Sequence, residues 1–425
     1  MAAKYVLGCQ TLQLNHDVSI NGDQTDSTVN QLEYFKRLNL FADPKKVSSD
    51  TLPSLANYHD EAAPLNDRAR AYLHANCSHC HRNGGGGNAD FFALASMELD
   101  QLHILDAKAN HGQFQIQQPA IIKQGNPLKS LLYYRMSSLG GGRMPRLGST
   151  VIDERGLDLI HDWIASLTPG QPSETASSNV PASSNAPASS NDSLHEQIQT
   201  IIDRESVAVE RQASIDQLLS TTPGALLLAR ATQNDKLSYE VRDTVVRAAV
   251  QGDPHIRNLF ERFLPEQQRT KRLGRSVDPS AILALNGNAE QGRALFHHES
   301  GVQCRDCHRI KNQGKAVGPD LDQIGKKYDR RQTLTSILEP SRNVDAKYMQ
   351  YQCLTNDGQV HTGIIVEKTA RHVTLRDAKS DLHKIASEEI DELSPLTTSM
   401  MPELLVQDLT AQQLADLVAF LDSLE

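Results

Sequence analysis

Cys304-Arg305-Asp306-Cys307-His308 and, far upstream, Cys77-Ser78-His79-Cys80-His81 are two copies of one five-residue pattern, Cys-x-x-Cys-His. Two thiols about one helical turn apart can reach the two vinyl groups on one porphyrin edge, and the adjoining histidine offers its imidazole to the iron. A redox dithiol has no use for that histidine, and structural zinc wants four donors. Beside the first copy only His74, His79 and His81 stand near enough in sequence to complete a zinc set. Beside the second there are only His297, His298 and His308, and no further Cys-x-x-Cys follows either copy at ribbon or finger spacing. The repeat therefore predicts two covalent haem c groups, one on Cys77 and Cys80 with His81 as proximal ligand, the other on Cys304 and Cys307 with His308.

A distal ligand is expected downstream of each histidine. Arg143-Met144-Pro145 follows the first copy and Ser399-Met400-Met401-Pro402 the second. A thioether beside proline gives soft sulfur on backbone held off helical geometry. The usual work of methionine is to fill core gaps, but the chain has only 7 methionines, and Met-Pro recurs in the equivalent place. Met144 and Met401 are the expected ligands, with Met136 and Met400 as rivals.

Helical periodicity brackets both copies. Pro64 to Asn76 leads into the first, and Asp153 to Leu167 follows Met144 with Leu157, Ile160, Trp163, Ile164 and Leu167 in one stripe. Asn288 to Phe296 precedes the second, and Thr410 to Leu424 closes the chain with Leu414, Leu417, Val418 and Leu421 aligned beside Phe420. Between Pro340 and Met401 the pattern changes to strands over Tyr348–Thr355, Gln359–Glu367, His372–Arg376 and Leu382–Ile385, with Asn356-Asp357-Gly358 as a hairpin signal. Cys353 falls in the first of these strands and reads as a small buried hydrophobe.

Taken together, the two units resemble class I cytochrome c, whose first and last helices cross beside the haem. Gly292 and Phe296 match the glycine and aromatic of that crossing, with Phe420 opposite. Tyr72 and Trp163 would serve in the first unit, which lacks the matching glycine. Residues from about 286 onward resemble the planctomycete-type haem-binding domain through Gly-Arg-Ala-Leu-Phe at 292 to 296, Cys304 to His308, Gly318-Pro-Asp-Leu321, Ile337-Leu-Glu-Pro-Ser341, Asn356-Asp-Gly358 and Ser399-Met-Met-Pro402. The first unit resembles a family of periplasmic cytochromes through Asn76-Cys-Ser-His-Cys-His81, Gly125-Asn-Pro127, Arg135-Met136 and Met144-Pro145. The resemblance implies electron transfer, often beside a dehydrogenase, and implies that the carbonyl of Pro319 orients the proximal imidazole; Pro119 is the counterpart proposed for the first unit.

The expected fold is mainly α, with two class I cytochrome c-like domains, at 63–170 and 286–425. The second carries a small antiparallel β insertion near 345–395. They are joined by a flexible tether at 171–194, rich in Ser, Asn, Pro and Ala, and a small helical spacer at 195–285. A tether of this length spans about 25 to 30 Å and keeps its ends at an effective concentration on the order of millimolar. Residues 1–62 read as the tail of a longer preceding region. Val6-Leu-Gly-Cys9 imitates a lipoprotein box but has too little apolar sequence before it, so the export signal that haem c attachment requires lies outside this sequence. The expected compartment is periplasmic or otherwise extracytoplasmic.

With 425 residues and a net charge of −9, nothing in the chain points to nucleic acid, and no run is long and apolar enough to span a membrane. The basic clusters Arg269, Lys271, Arg272, Arg275 and Lys326, Lys327, Arg330, Arg331 read first as solvated faces. Two functions fit. One is a soluble dihaem electron carrier, or the electron-accepting module of a dehydrogenase system, docking weakly on a redox partner. The other is a dihaem peroxidase, in which one iron keeps an open distal position; Met-Pro after both copies counts against it. A zinc-binding protein ranks third.

Overall fold

The computed structural model describes residues 10–19, 28–82, 85, 89, 91–109, 112–146, 148–168, 190–297, 302, 304–378 and 380–425. Cys9, His298 and most of the 171–194 tether lie outside them.

The expectation of a mainly α chain built from two class I cytochrome c-like domains is not met. Among the described residues the fold is mixed, with 15 helices covering 44% of the chain, a five-stranded antiparallel sheet and a two-stranded sheet. Part of the reason lies in the stretch between His81 and Leu131, whose described residues form only the 3-10 turns Asp100–Leu102 and Pro127–Lys129. There His103, Asp106, Phe114, Gln115 and Gln118 all adopt positive φ, which an α-helix cannot accommodate.

The chain divides into two compact units that do not follow sequence order. The first comprises residues 1–107, 121–127 and 153–185; the second comprises 108–120, 128–152 and 186–425.

In the first unit, strand β1 (Asp17–Ser19) pairs antiparallel with β2 (Thr28–Asn30). The helices Leu65–Cys77 and Glu154–Ser166 pack together. The glycine that the sequence did not supply to the first of these helices comes from the second. A Cβ at Gly156 would lie 2.4 Å from the ring of Tyr72, so the missing side chain is what admits the tyrosine. Trp163, 1% exposed, fixes the pair further by donating its indole N–H to Asn66 Oδ1 at 3.2 Å.

In the second unit, helices Ser190–Ile202, Ala208–Leu219, Thr222–Gln233, Tyr239–Gln251 and Pro254–Phe260 bury Ile198, Ile201, Ile215, Leu218, Val245 and Val246. Segment 128–152 packs on them. Tyr134 Oη donates to the carbonyl of His255 at 2.9 Å, and the Leu139 N–H to that of Asn258 at 3.1 Å. One basic cluster is partly structural: Arg272 pairs with the buried Glu261 at 2.6 Å and donates to Asn258 Oδ1 at 2.9 Å.

The sheet of this unit contains β3 (Gln350–Thr355), β4 (Val360–Lys368), β5 (His372–Arg376), β6 (Leu382–Ala386) and β7 (Ile390–Pro395) in the order β6-β5-β4-β3-β7, antiparallel throughout. Gly358 at φ +83° turns the β3–β4 hairpin, a conformation glycine adopts without steric cost. Cys353 is 0% exposed among Val373, Leu375 and Ile385, the buried hydrophobe its strand position implied.

Candidate functional site

The second Cys-x-x-Cys-His copy is held between two helices and an irregular loop. Helix Ala289–His297 packs along Ala411–Asp422. Gly292 makes the approach possible, because a Cβ there would lie 2.0 Å from the Asp416 carbonyl oxygen and 2.8 Å from Phe420 Cβ. Phe296, fully buried, meets Phe420 edge-on with centroids 5.7 Å apart. The buried Asp416 ties the far end by accepting the Asn288 N–H at 2.7 Å.

From there the chain enters a single 3-10 turn, Cys304–Asp306. The Cys304 carbonyl accepts the N–H groups of Cys307 (3.2 Å) and His308 (2.9 Å). That turn brings both thiols and the imidazole together locally, as the spacing requires. The Cys307 carbonyl then accepts from Val317 and Gly318 at 3.1 and 2.7 Å, folding the Gly-Pro-Asp-Leu segment back over the histidine.

His308 Nδ1 lies 2.9 Å from the Pro319 carbonyl oxygen. A carbonyl only accepts, so Nδ1 carries the hydrogen and Nε2 keeps its lone pair for a metal. Gly318 permits this closeness, since a Cβ there would fall 2.7 to 3.3 Å from three atoms of the ring. Burial pulls the His308 pKa down, opposed by the Pro319 hydrogen bond. Burial pushes the Cys304 thiol up to about 12 and also raises Cys307, so both sulfurs are protonated thiols at neutral pH.

Met401 and Cys304 pack against the same apolar cluster, which includes Phe296, Val302, Leu321, Leu334, Ile337, Val406 and Leu417. The methionine is placed by its own loop. The Met401 N–H donates to Ser399 Oγ, and the Ser399 N–H to Ser341 Oγ, each at 3.1 Å, so the Glu-Pro-Ser motif and the Ser-Met-Met-Pro motif are joined.

The first copy begins inside a helix instead of after one, since Leu65–Cys77 ends on its first cysteine. The Cys77 carbonyl accepts from Cys80 (3.1 Å) and His81 (2.9 Å), repeating the turn seen at the second copy. Gly85 closes over it, because a Cβ there would sit 2.2 Å from the Cys80 carbonyl oxygen. The His81 ring stacks on Phe91 with centroids 4.1 Å apart and planes at 16°, and its carbonyl accepts the Ala93 N–H at 2.9 Å. Phe91 was not anticipated; its one sequence signal is an aromatic pair, Phe91-Phe92, separated by three residues from a glycine run. Burial pushes the Cys77 thiol to about 12 and also raises Cys80.

Met144 and Met136 both belong to the second unit, while Cys77, Cys80 and His81 belong to the first. Met144 is half-buried, joined to Pro145 by a cis peptide, with its N–H donated to the Arg135 carbonyl at 3.0 Å. Met136 is half-buried on helix Leu131–Ser137. Pro119, also in the second unit, is only partly exposed.

The donor set at the second copy fits haem c. Two neutral thiols stand one turn apart, an imidazole is fixed with Nε2 as its lone-pair nitrogen, and a thioether shares the apolar cluster of the first thiol. Among the described residues no group of three or more His, Cys, Asp or Glu side chains is arranged to hold a metal ion. Nor is any helix among them long and apolar enough to cross a membrane. No known protein family and no curated protein matches the chain.

Proposed function

We propose that this protein transfers electrons through two covalently bound haem c groups, as an extracytoplasmic carrier or as the electron-accepting module of a dehydrogenase system. The observation that carries the reading is the His308–Pro319 contact over Gly318, which fixes the imidazole with its lone pair at Nε2 immediately after two thiols set on one turn. Bound there, haem c supplies a one-electron ferric/ferrous couple.

The chain's own contributions are these. Cys304 and Cys307, and likewise Cys77 and Cys80, would hold the haem covalently. His308 and His81 would each supply an imidazole to its iron. Pro319 orients the first of these rings and raises its basicity. Met401 serves as the distal thioether of the second centre, and Met144 is paired with the first by its sequence position. The apolar cluster around Phe296 and Leu417 keeps water from the second site. The resemblance of residues 286–425 to the planctomycete-type haem-binding domain, and of residues 63–170 to periplasmic cytochromes, supports the same reading.

The test is expression of the full chain in a host that attaches haem c outside the cytoplasm. The expected product holds two haems that survive acid–acetone extraction, gives a c-type pyridine haemochrome, and in the oxidised form shows low-spin iron with the weak far-red methionine–iron band. Bound zinc without haem would overturn the proposal. A high-spin iron that turns over peroxide would replace it with a peroxidase.

A further inference from the structure

The backbone that bears Met144 is fastened to the loop that follows Met401. Arg143 Nε pairs with Asp408 Oδ1 at 3.0 Å, with side chains only 11% and 15% exposed. The same guanidinium is pre-aimed by donating from Nη1 to the Ser149 carbonyl at 2.8 Å and to its Oγ at 3.1 Å. A second link runs from Gln407 Nε2 to the Arg146 carbonyl at 3.4 Å. From the opposite side, the N–H groups of Leu273 and Gly274 donate to the carbonyls of Leu409 and Gln407 at 2.8 and 2.9 Å. Between these ties Val406 and Leu409 are buried in the cluster that holds Met401 and Cys304.

We propose that Arg143 is a positioning residue for the second centre: through Asp408 it holds segment 402–409 and thereby sets how the Met401 thioether is presented. The inference rests on the haem reading above. Residues 402–409 contain no helix or strand, so no ladder of their own fixes their path and the tethers must. Upstream, Met401 is secured by Ser399 and Ser341; downstream, the exposed Glu403 accepts from Ser341 Oγ at 3.3 Å, and the nearest ion pair is that of Asp408 with Arg143. An ion pair this shielded from water differs from an exposed one, whose value is near zero. Removing Arg143 takes the hydrogen-bonded cation from a largely buried carboxylate and leaves it only the through-space charge of the neighbouring Arg146 guanidinium, which is unfavourable, and the loop relieves that by carrying Asp408 toward solvent.

The experiment compares Arg143→Gln, Arg143→Lys, Asp408→Asn and the exchanged pair Arg143→Asp/Asp408→Arg in the haem-loaded full chain. Each is also placed in a Cys77→Ala/Cys80→Ala chain that keeps only the second haem, so that effects on Met144 are separated from effects on Met401. Haem content should be unchanged. The far-red methionine–iron band should weaken in Arg143→Gln and Asp408→Asn, in the single-haem chain as well, with a lowered midpoint potential. Amide exchange across 402–409 should quicken at least about tenfold, equivalent to about 1.4 kcal/mol of lost protection. Arg143→Lys and the exchanged pair should recover part of the band. Faster exchange with a wild-type band and titration would show that the pair is only structural and overturn the inference while leaving the haem reading intact. Absence of haem c from the wild-type chain would remove both.

Discussion

At the scale of single residues, a histidine's hydrogen-bond partners decide what it can do. His308 donates from Nδ1 to Pro319 and keeps a lone pair on Nε2, whereas His74, 2% exposed, has both ring nitrogens engaged structurally. Its Nδ1 accepts the Ala95 N–H at 3.2 Å while Nε2 faces Gln10 Oε1 at 2.7 Å. An imidazolium could not accept from Ala95, and burial, followed by the charge of Arg82, lowers the His74 pKa below the usual 6.5. The neutral ring thus stabilises the fold above pH 6.5, and that contribution is lost as pH falls, because the unfolded chain takes up the proton first. Denaturant unfolding should show stability falling on the acid side of 6.5, and His74→Gln should flatten that slope. For the sulfurs, Met144→Ala and Met401→Ala should each leave haem attached and lower one midpoint potential in a redox titration, because thioether ligation favours the ferrous state. Unchanged titrations for both would transfer the roles to Met136 and Met400. The histidines and cysteines were legible in sequence because the Cys-x-x-Cys-His pattern puts them within five residues. Arg143 and Asp408 were not, since 265 residues separate them.

At the scale of elements, the helices flanking both copies fall within one or two residues of their sequence expectation, because an apolar stripe of helical period is local information. How two such helices approach is not local. Gly292 was recognisable only through a resemblance, and Gly156 was missed because its partner Tyr72 lies on another helix. Gly292→Ala forces a methyl into backbone at 2.0 Å and should cost about 1 to 3 kcal/mol, measured by denaturant unfolding; a loss below about 0.5 kcal/mol would mean that the helices slide apart cheaply. Four of the five strands of the larger sheet appear where β-branched and aromatic runs placed them. The fifth, β7, carries Asp391 and Glu392 in mid-strand, and it became a strand by pairing with β3, not by its own composition.

At the scale of the whole molecule, the repeated motif makes a stoichiometric prediction. Pyridine haemochrome titration should return two haems per wild-type chain and one after Cys304→Ala/Cys307→Ala; the same result before and after that change would mean the second thiol pair never carried haem. The division into units is what linear reading could not anticipate, for segments 108–120 and 128–152 leave their sequence neighbours and join the second unit. The sequence by itself determined the thiols, the proximal imidazoles, the helices around them and most of the strands, because each is set by contacts within a few residues or by alternation along one element. Only the tertiary structure decided that the fold is mixed α and β, that Gly156 admits Tyr72, and that Arg143 reaches Asp408. Those outcomes depend on long-range packing and on backbone closeness at glycines, and neither leaves a period or a spacing in the chain.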